Sequence, residues 1–264
     1  MKEEVRKKIK KLIIFTKRKM QNVIAGDYIS AFKGSGLEFE QIREYSVGDD
    51  IRFIDWNSSA KMNKIMVKQF VEERDRTVIL LIDVSASSWY SSREDLRSDT
   101  SAQIAAALAY VAMQNKDRVG ALFFSDRIER WIAPARGHAH FGKIIDSLFS
   151  LEPKGKLTDI KVALQFLAGL KARNSIIFML SDWIDEIESY RKYLKLVACK
   201  YDFIGVRLLD RCEKDLPDIG YLAVEDPETG ETGILDLRKK SGVSTLLKTR
   251  MLEQRDLFRS YKID

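Results

Sequence analysis

The chain has 264 residues, 45% hydrophobic and 32% charged, with 14 Gly and four Pro, which suits a globular core and excludes a low-complexity or linker-rich chain. Two cysteines, Cys199 and Cys212, fit neither a structural zinc site nor a CxxC pair and read as reduced thiols, while His138 and His140 read as loop residues. The net charge of +6 is unevenly spread: residues 2–19 hold nine Lys/Arg against two Glu, residues 238–264 hold eight against three Asp/Glu, and the stretch between is acidic. That distribution excludes a uniformly basic nucleic-acid binder, and it leaves basic ends that can dock on the body, on an acidic partner or on anionic lipid.

In chain order, Val5, Ile9, Leu12, Ile13, Met20, Val23 and Ile24 recur at three- and four-residue steps among lysines and arginines. This predicts an amphipathic N-terminal helix whose apolar stripe packs on the protein; contact with a membrane surface is the less favoured role. Residues 25–60 are irregular and punctuated by Gly26, Gly34, Gly36 and Gly48. Within them, Gly48–Trp56 reads as a structural turn in which Asp49, Asp50 and Asp55 pair with Arg43 and Arg52 and Trp56 buries its ring. The competing role is a partner-binding loop. Lys64–Glu72 alternates loosely as a strand.

Thr77–Asp83 (TVILLID) is apolar up to its last residue, the pattern of a strand buried on both faces. An Ala-rich helix follows over Ser101–Gln114, capped by Ser98 or Asp99. Arg118–Ser125 and Arg127–Pro134 read as strands joined by a tight hairpin, and Phe141–Leu151 and Ile160–Leu170 as helices. Ser175–Ser181 is a strand, Ile187–Cys199 a helix and Asp202–Leu209 a strand. Tyr221–Val224 and Gly233–Leu237 flank a Pro227–Gly230 turn, and a last helix covers Ser244–Phe258. Strands alternating with helices predict a doubly wound, mostly parallel α/β sheet flanked by helices. The expected division is residues 1–72, 73–237 and 238–264. No apolar stretch approaches the roughly 20 residues that span a bilayer, and the N-terminal apolar run is too short for a signal peptide, so a cytoplasmic location is expected.

In such a sheet, ligands bind beyond the carboxyl ends of the strands near the switch in strand order. The residues expected there are Asp83, Ser85 and Ser87 after the first buried strand, Thr158 and Asp159 before the Ile160 helix, and Asp182 after Ser175–Ser181. Two carboxylates and three hydroxyls form a hard oxygen set suited to Mg²⁺, with Mn²⁺ or Ca²⁺ as substitutes. Asp159 reads as a helix cap before an outer partner of the ion. The ordinary alternative for the serines is a solvated turn that caps the next helix.

The Asp-x-Ser-x-Ser loop, Thr158 five residues before Ala163-Leu164, and Asp182 closing a later strand resemble the metal-ion-dependent adhesion site of von Willebrand factor A domains. Upstream, Gly36-Leu-Glu38-Phe39, Arg43-Glu44-Tyr45, Gly48-Asp49-Asp50, Arg52, Ile54-Asp55-Trp56, Ser59-Ala60-Lys61 and Val67-Lys68 resemble a bacterial group, the domain-of-unknown-function family fifty-eight. The two blocks cover about residues 26–210. The resemblance implies a von Willebrand A-like fold, a metal held by Asp83, Ser85, Ser87, Thr158 and Asp182, and a partner of the MoxR AAA+ ATPase type in remodelling or assembly of other proteins. It departs from the family at Lys61, at Ser88-Trp89 and at Trp183, where many A domains have Gly; the two tryptophans are expected at the rim of the metal site.

The function expected is thus a non-enzymatic, metal-dependent protein-binding module. One rival is a Mg²⁺-dependent phosphatase-type hydrolase, against which Ser85 stands where the second aspartate of haloacid-dehalogenase-type enzymes is needed. The other is a lipid- or nucleic-acid-associated scaffold working through the basic termini.

Overall fold

The computed structural model describes residues 37–72, 76–89, 97–172, 174–210, 220–236 and 240–263. The expected N-terminal helix and Cys212 lie outside them. The chain divides into two compact units, one within residues 24–75 and the other from Arg76 onward.

The smaller unit is an antiparallel hairpin of β1 (Leu37–Glu44) and β2 (Met66–Glu72), with α1 (Trp56–Met62) on the connection between them. Strand β1 was not expected. Its period-two alternation is weak, and the surrounding glycines made the stretch read as turns. The turn after β1 is built as its residue types suggest. Arg43 grips Asp49 through two bonds of 2.6 and 2.7 Å, and Arg52 closes on Asp50 at 2.6 Å. These contacts hold the carboxyls of Asp49 and Asp50 below their ordinary range, Asp50 at about 2. Asp55 instead caps α1, accepting from the amides of Asn57 and Ser58, and lies 3.7 Å from Lys68. Trp56 corrects the expectation of a buried ring. As the first residue after that cap it projects outward and is 71% exposed.

The larger unit carries a five-stranded sheet in the order β5-β4-β3-β6-β7, made of β3 (Thr77–Asp83), β4 (Arg118–Phe124), β5 (Ile128–Ala135), β6 (Ser175–Ser181) and β7 (Asp202–Arg207). Four strands are parallel and β5 pairs antiparallel at the edge, as the tight Asp126–Arg127 link requires. The apolar runs predicted this arrangement: β3 and β6 are buried almost throughout because helices cover both faces. Helix α2 (Arg97–Gln114) packs on β3 and β4 through Ala102, Ala105, Ala106 and Ala109, whose small side chains permit close approach. It begins four residues earlier than expected, so Ser98 and Asp99 lie in its first turn, where an acidic residue favours the positive end of the helix dipole. Helix α3 (His138–Ser150) adjoins α2 and contains both histidines in its first turn. That corrects their placement in a loop; the His140 ring is bonded at 2.7 Å to the Val119 carbonyl.

The opposite face is covered by α4 (Ile160–Gly169) and α5 (Ile187–Lys200). Ile160, Leu164 and Leu167 of α4 and Tyr190, Leu194 and Val197 of α5 pack with Ile79, Leu81, Ile177 and Met179 of the sheet. Side chains that leave water in such a core contribute roughly 1.5–3 kcal/mol each. The last helix, α6 (Lys240–Ser260), joins the same core through Leu257. A separate antiparallel hairpin, β8 (Tyr221–Glu225) and β9 (Thr232–Asp236), turns through Asp226–Glu231. No described helix is long and apolar enough to cross a membrane.

Candidate functional site

Strand β3 is the first strand of the main sheet; the chain then builds β4 and β5 on one side and β6 and β7 on the other. The carboxyl ends of β3 and β6 therefore adjoin at the switch in strand order, where two neighbouring connections leave in opposite directions and open a crevice. Asp83 ends β3, and Asp182 directly follows β6.

Asp83 is 2% exposed and sits in a cage of hydroxyl and amide donors. Its Oδ1 accepts from the Ser85 amide at 3.0 Å and from Ser85 Oγ at 2.6 Å, while Ser181 Oγ donates to Oδ2 at 2.7 Å. Ser85 Oγ lies 2.9 Å from Ser87 Oγ, and Ser88 Oγ donates to the Asp83 carbonyl. The residues after Asp83 form a short 3-10 turn, Ala86–Trp89, so alternate side chains stay near the strand end instead of running up a long helix. Burial pushes the Asp83 carboxyl up to about 6; the Ser85 hydroxyl pulls against this, and the charge of Asp182 adds to it.

Asp182 accepts from Arg97 at 3.2 Å, both side chains being largely buried, and from the Ile184 amide. Arg97, at the start of α2, escaped the sequence argument because it lies in a polar stretch with no local pattern pointing at Asp182, 85 positions away. In the sequence, Ser181 reads only as the last residue of a strand. Its place beside an aspartate at a strand end was the one available signal.

Thr158 reaches the same edge by a different route. The Ala86 amide donates to the Lys156 carbonyl at 2.9 Å, and the Asp159 amide to the Ser125 carbonyl. Those bonds lay the loop before α4 alongside the serine turn. Glu129 of β5 fastens that loop further by accepting from the amides of Lys154 and Gly155. Thr158's own hydrogen bonds go elsewhere, to Glu228 of the β8–β9 turn: 2.5 Å from its hydroxyl and 3.1 Å from its amide. Asp159 is the N-cap of α4, accepting from the Lys161 amide at 2.9 Å.

Trp183 stands behind the site instead of on its rim. It is 3% exposed and its ring meets Tyr190, Phe203 and Phe258 edge-on. Its backbone has φ +60°, a left-handed conformation that is uncommon for a bulky residue and that glycine adopts without strain. The side chain of Trp89, expected at the rim, lies outside the described residues.

Five oxygen-bearing side chains thus meet or adjoin at one sheet edge. Asp83, Ser85 and Ser87 are linked directly, Asp182 is near enough for its charge to act on Asp83, and Thr158 lies on the neighbouring loop. The donor set is all oxygen and suits Mg²⁺, Mn²⁺ or Ca²⁺ better than a thiophilic ion. Among the described residues no group of three or more His, Cys, Asp or Glu side chains is disposed to hold a metal. An ion here would therefore depend on the hydroxyls as much as on the two carboxylates.

Fold and site together define an α/β protein with a carboxylate–hydroxyl cluster at the switch point of a mostly parallel sheet. Residues 41–255 match the model of the family described as "Protein of unknown function DUF58", and the chain belongs to that family. Uncharacterized proteins of Mycobacterium bovis and Mycobacterium tuberculosis are 25% identical to it over 224 residues, covering 84% of this chain and 70% of theirs. Among solved structures it is similar to an aerotolerance-related membrane protein of Bacteroides fragilis, at 14% identity and a TM-score of 0.45, over 66% of this chain and 95% of that one. It is also similar to the conserved hypothetical protein BatB of Bacteroides thetaiotaomicron, at 13% identity and a TM-score of 0.43, over 65% and 84% of the two chains.

Proposed function

We propose that the chain is a non-enzymatic, cytoplasmic protein-binding module whose grip depends on a divalent cation. The observation that supports this most is the buried Asp83 carboxylate, enclosed by the Ser85 and Ser181 hydroxyls with Asp182 alongside. Arg97 already offsets the charge of Asp182, so the carboxylate left without a cationic partner beside it is Asp83, and a cation of charge two bound between the two aspartates would offset it. Asp83, Ser85, Ser87, Thr158 and Asp182 would hold the ion. When bound, it supplies a coordination position open to an Asp or Glu of a partner, a charge-assisted contact that also fixes orientation. The resemblance to MoxR-associated proteins suggests an AAA+ ATPase of that type, or its client, as the partner.

Hydrolysis is the weaker reading. Asp83 is too enclosed to attack a phosphoryl group, and no second aspartate stands at position 85 to serve as its acid.

The test is capture of a purified MoxR-type ATPase by the immobilised chain in Mg²⁺ and in EDTA, with Asp83→Ala alongside. Capture that needs both the ion and Asp83 supports the proposal. Full-strength capture in EDTA overturns it.

A further inference from the structure

Of the contacts around the candidate site, the one between Thr158 and Glu228 joins positions 70 residues apart and has no counterpart in the motif read from sequence. The turn that carries Glu228 is stiff. The Asp226 amide donates to the Glu231 carbonyl and the Gly230 amide to the Asp226 carbonyl, both at 2.8 Å. The Asp226 carboxylate accepts from the Glu228 amide and the Thr229 hydroxyl, both at 2.9 Å, and Gly230 takes φ +75°. Such a turn fixes the direction in which the Glu228 side chain leaves it. The strands behind it are poorly covered: Tyr221 is 62% and Ile234 76% exposed. Few of the described side chains of this hairpin are buried, and the bonds from Thr158 to Glu228 tie its tip to the loop before α4.

We propose that Glu228 is an in-cis ligand of the Asp83 site, and that the β8–β9 hairpin must withdraw before a partner's carboxylate can engage. This rests on the metal-binding reading above. The hairpin presents to the Thr158 corner the chemistry that a partner would bring, a carboxylate on a tight turn. It therefore fills the partner's place at high effective concentration. A partner then competes with a tethered group, and binding is coupled to release of the hairpin. The same geometry also describes the partner: an acidic residue at the tip of a turn, narrow enough to replace residues 226–231.

The ordinary alternative is that Glu228 merely satisfies two donors at the start of α4. Glu228→Gln separates the two roles, because glutamine still offers Thr158 a carbonyl acceptor but brings no negative charge. The experiment is Mn²⁺ titration of the full chain by calorimetry, with amide exchange of residues 226–231 measured with and without Mn²⁺. The wild type is expected to bind Mn²⁺, and the ion is expected to slow exchange across the turn. Glu228→Gln should bind Mn²⁺ about tenfold more weakly and lose the ion-dependent protection, while Asp83→Asn should lose Mn²⁺ altogether. Equal or tighter Mn²⁺ binding by Glu228→Gln, or exchange indifferent to the ion, overturns the inference and leaves the metal site standing. A wild type that takes up no Mn²⁺ overturns both.

Discussion

Asp83→Asn in metal-free buffer gives the most direct measure of what the site costs the fold. Burial raises the Asp83 carboxyl from its ordinary 3.8 to about 6, with the charge of Asp182 contributing and the Ser85 and Ser181 hydroxyls opposing. A shift of about two units corresponds to about 3 kcal/mol of preference for the protonated form. The folded pKa lies above the unfolded one, so the folded state holds this proton more tightly. The stability linked to it is complete below the unfolded value, falls as pH rises through the interval up to about 6, and stays lost above it. Asparagine keeps the shape without titrating. Relative to wild type, Asp83→Asn should therefore gain about 2 kcal/mol of stability between about pH 4.5 and pH 7.5, or roughly 4–8 °C in melting temperature for a unit of this size. Urea unfolding in EDTA at the two pH values, followed by tryptophan fluorescence, reads this directly. Groups that do not interact with Asp83 cancel in the difference. Saturating Mg²⁺ should remove the penalty in wild type alone. A difference that is the same at both pH values would refute the account of a buried, charge-strained carboxylate.

Other substitutions address the neighbours. Ser181→Ala removes the donor to Asp83 Oδ2 and the acceptor for the Trp183 amide, and should cost about 1–3 kcal/mol in chemical denaturation near neutral pH. Trp183→Gly relieves a left-handed backbone, a gain of about 1 kcal/mol, but empties a buried indole site, a loss of about 3–5 kcal/mol. Thermal unfolding should show net destabilisation, and a more stable variant would mean that strain outweighs packing. Gly155→Ala places a methyl group on the Asp126 carboxylate and the Ser125 hydroxyl. Either those side chains or the loop before Thr158 must then shift, and where the loop gives way Mn²⁺ affinity measured by calorimetry should fall.

The main sheet was legible because its strands are short apolar runs ending in polar residues. TVILLID and SIIFMLS each stop at the edge where the site begins, so burial and chemistry were marked by the same letters. Strand β1 was not, since LEFEQIRE carries charge on both parities and follows glycines. Trp56 was misplaced because an aromatic residue suggests burial, while the Asp55 cap dictates direction. Asp83, Ser85 and Ser87 were readable from spacing, being local. Arg97 and Glu228 were not, because each meets its partner across 70 or more positions and only the folded sheet edge brings them together. Trp183 shows the same limit: its sequence position suggested the rim, whereas its backbone angle turns the ring into the core.

The edge strand β5 has a consequence for assembly. It pairs antiparallel to β4 with two register shifts, and it carries Pro134, packed so closely that a methyl group on Gly120 would strike the proline ring. An irregular, proline-bearing border offers a poor template for a further strand. Growth by sheet extension is discouraged on that flank, so any neighbour meeting this border would have to be held by side chains and not by a continued ladder.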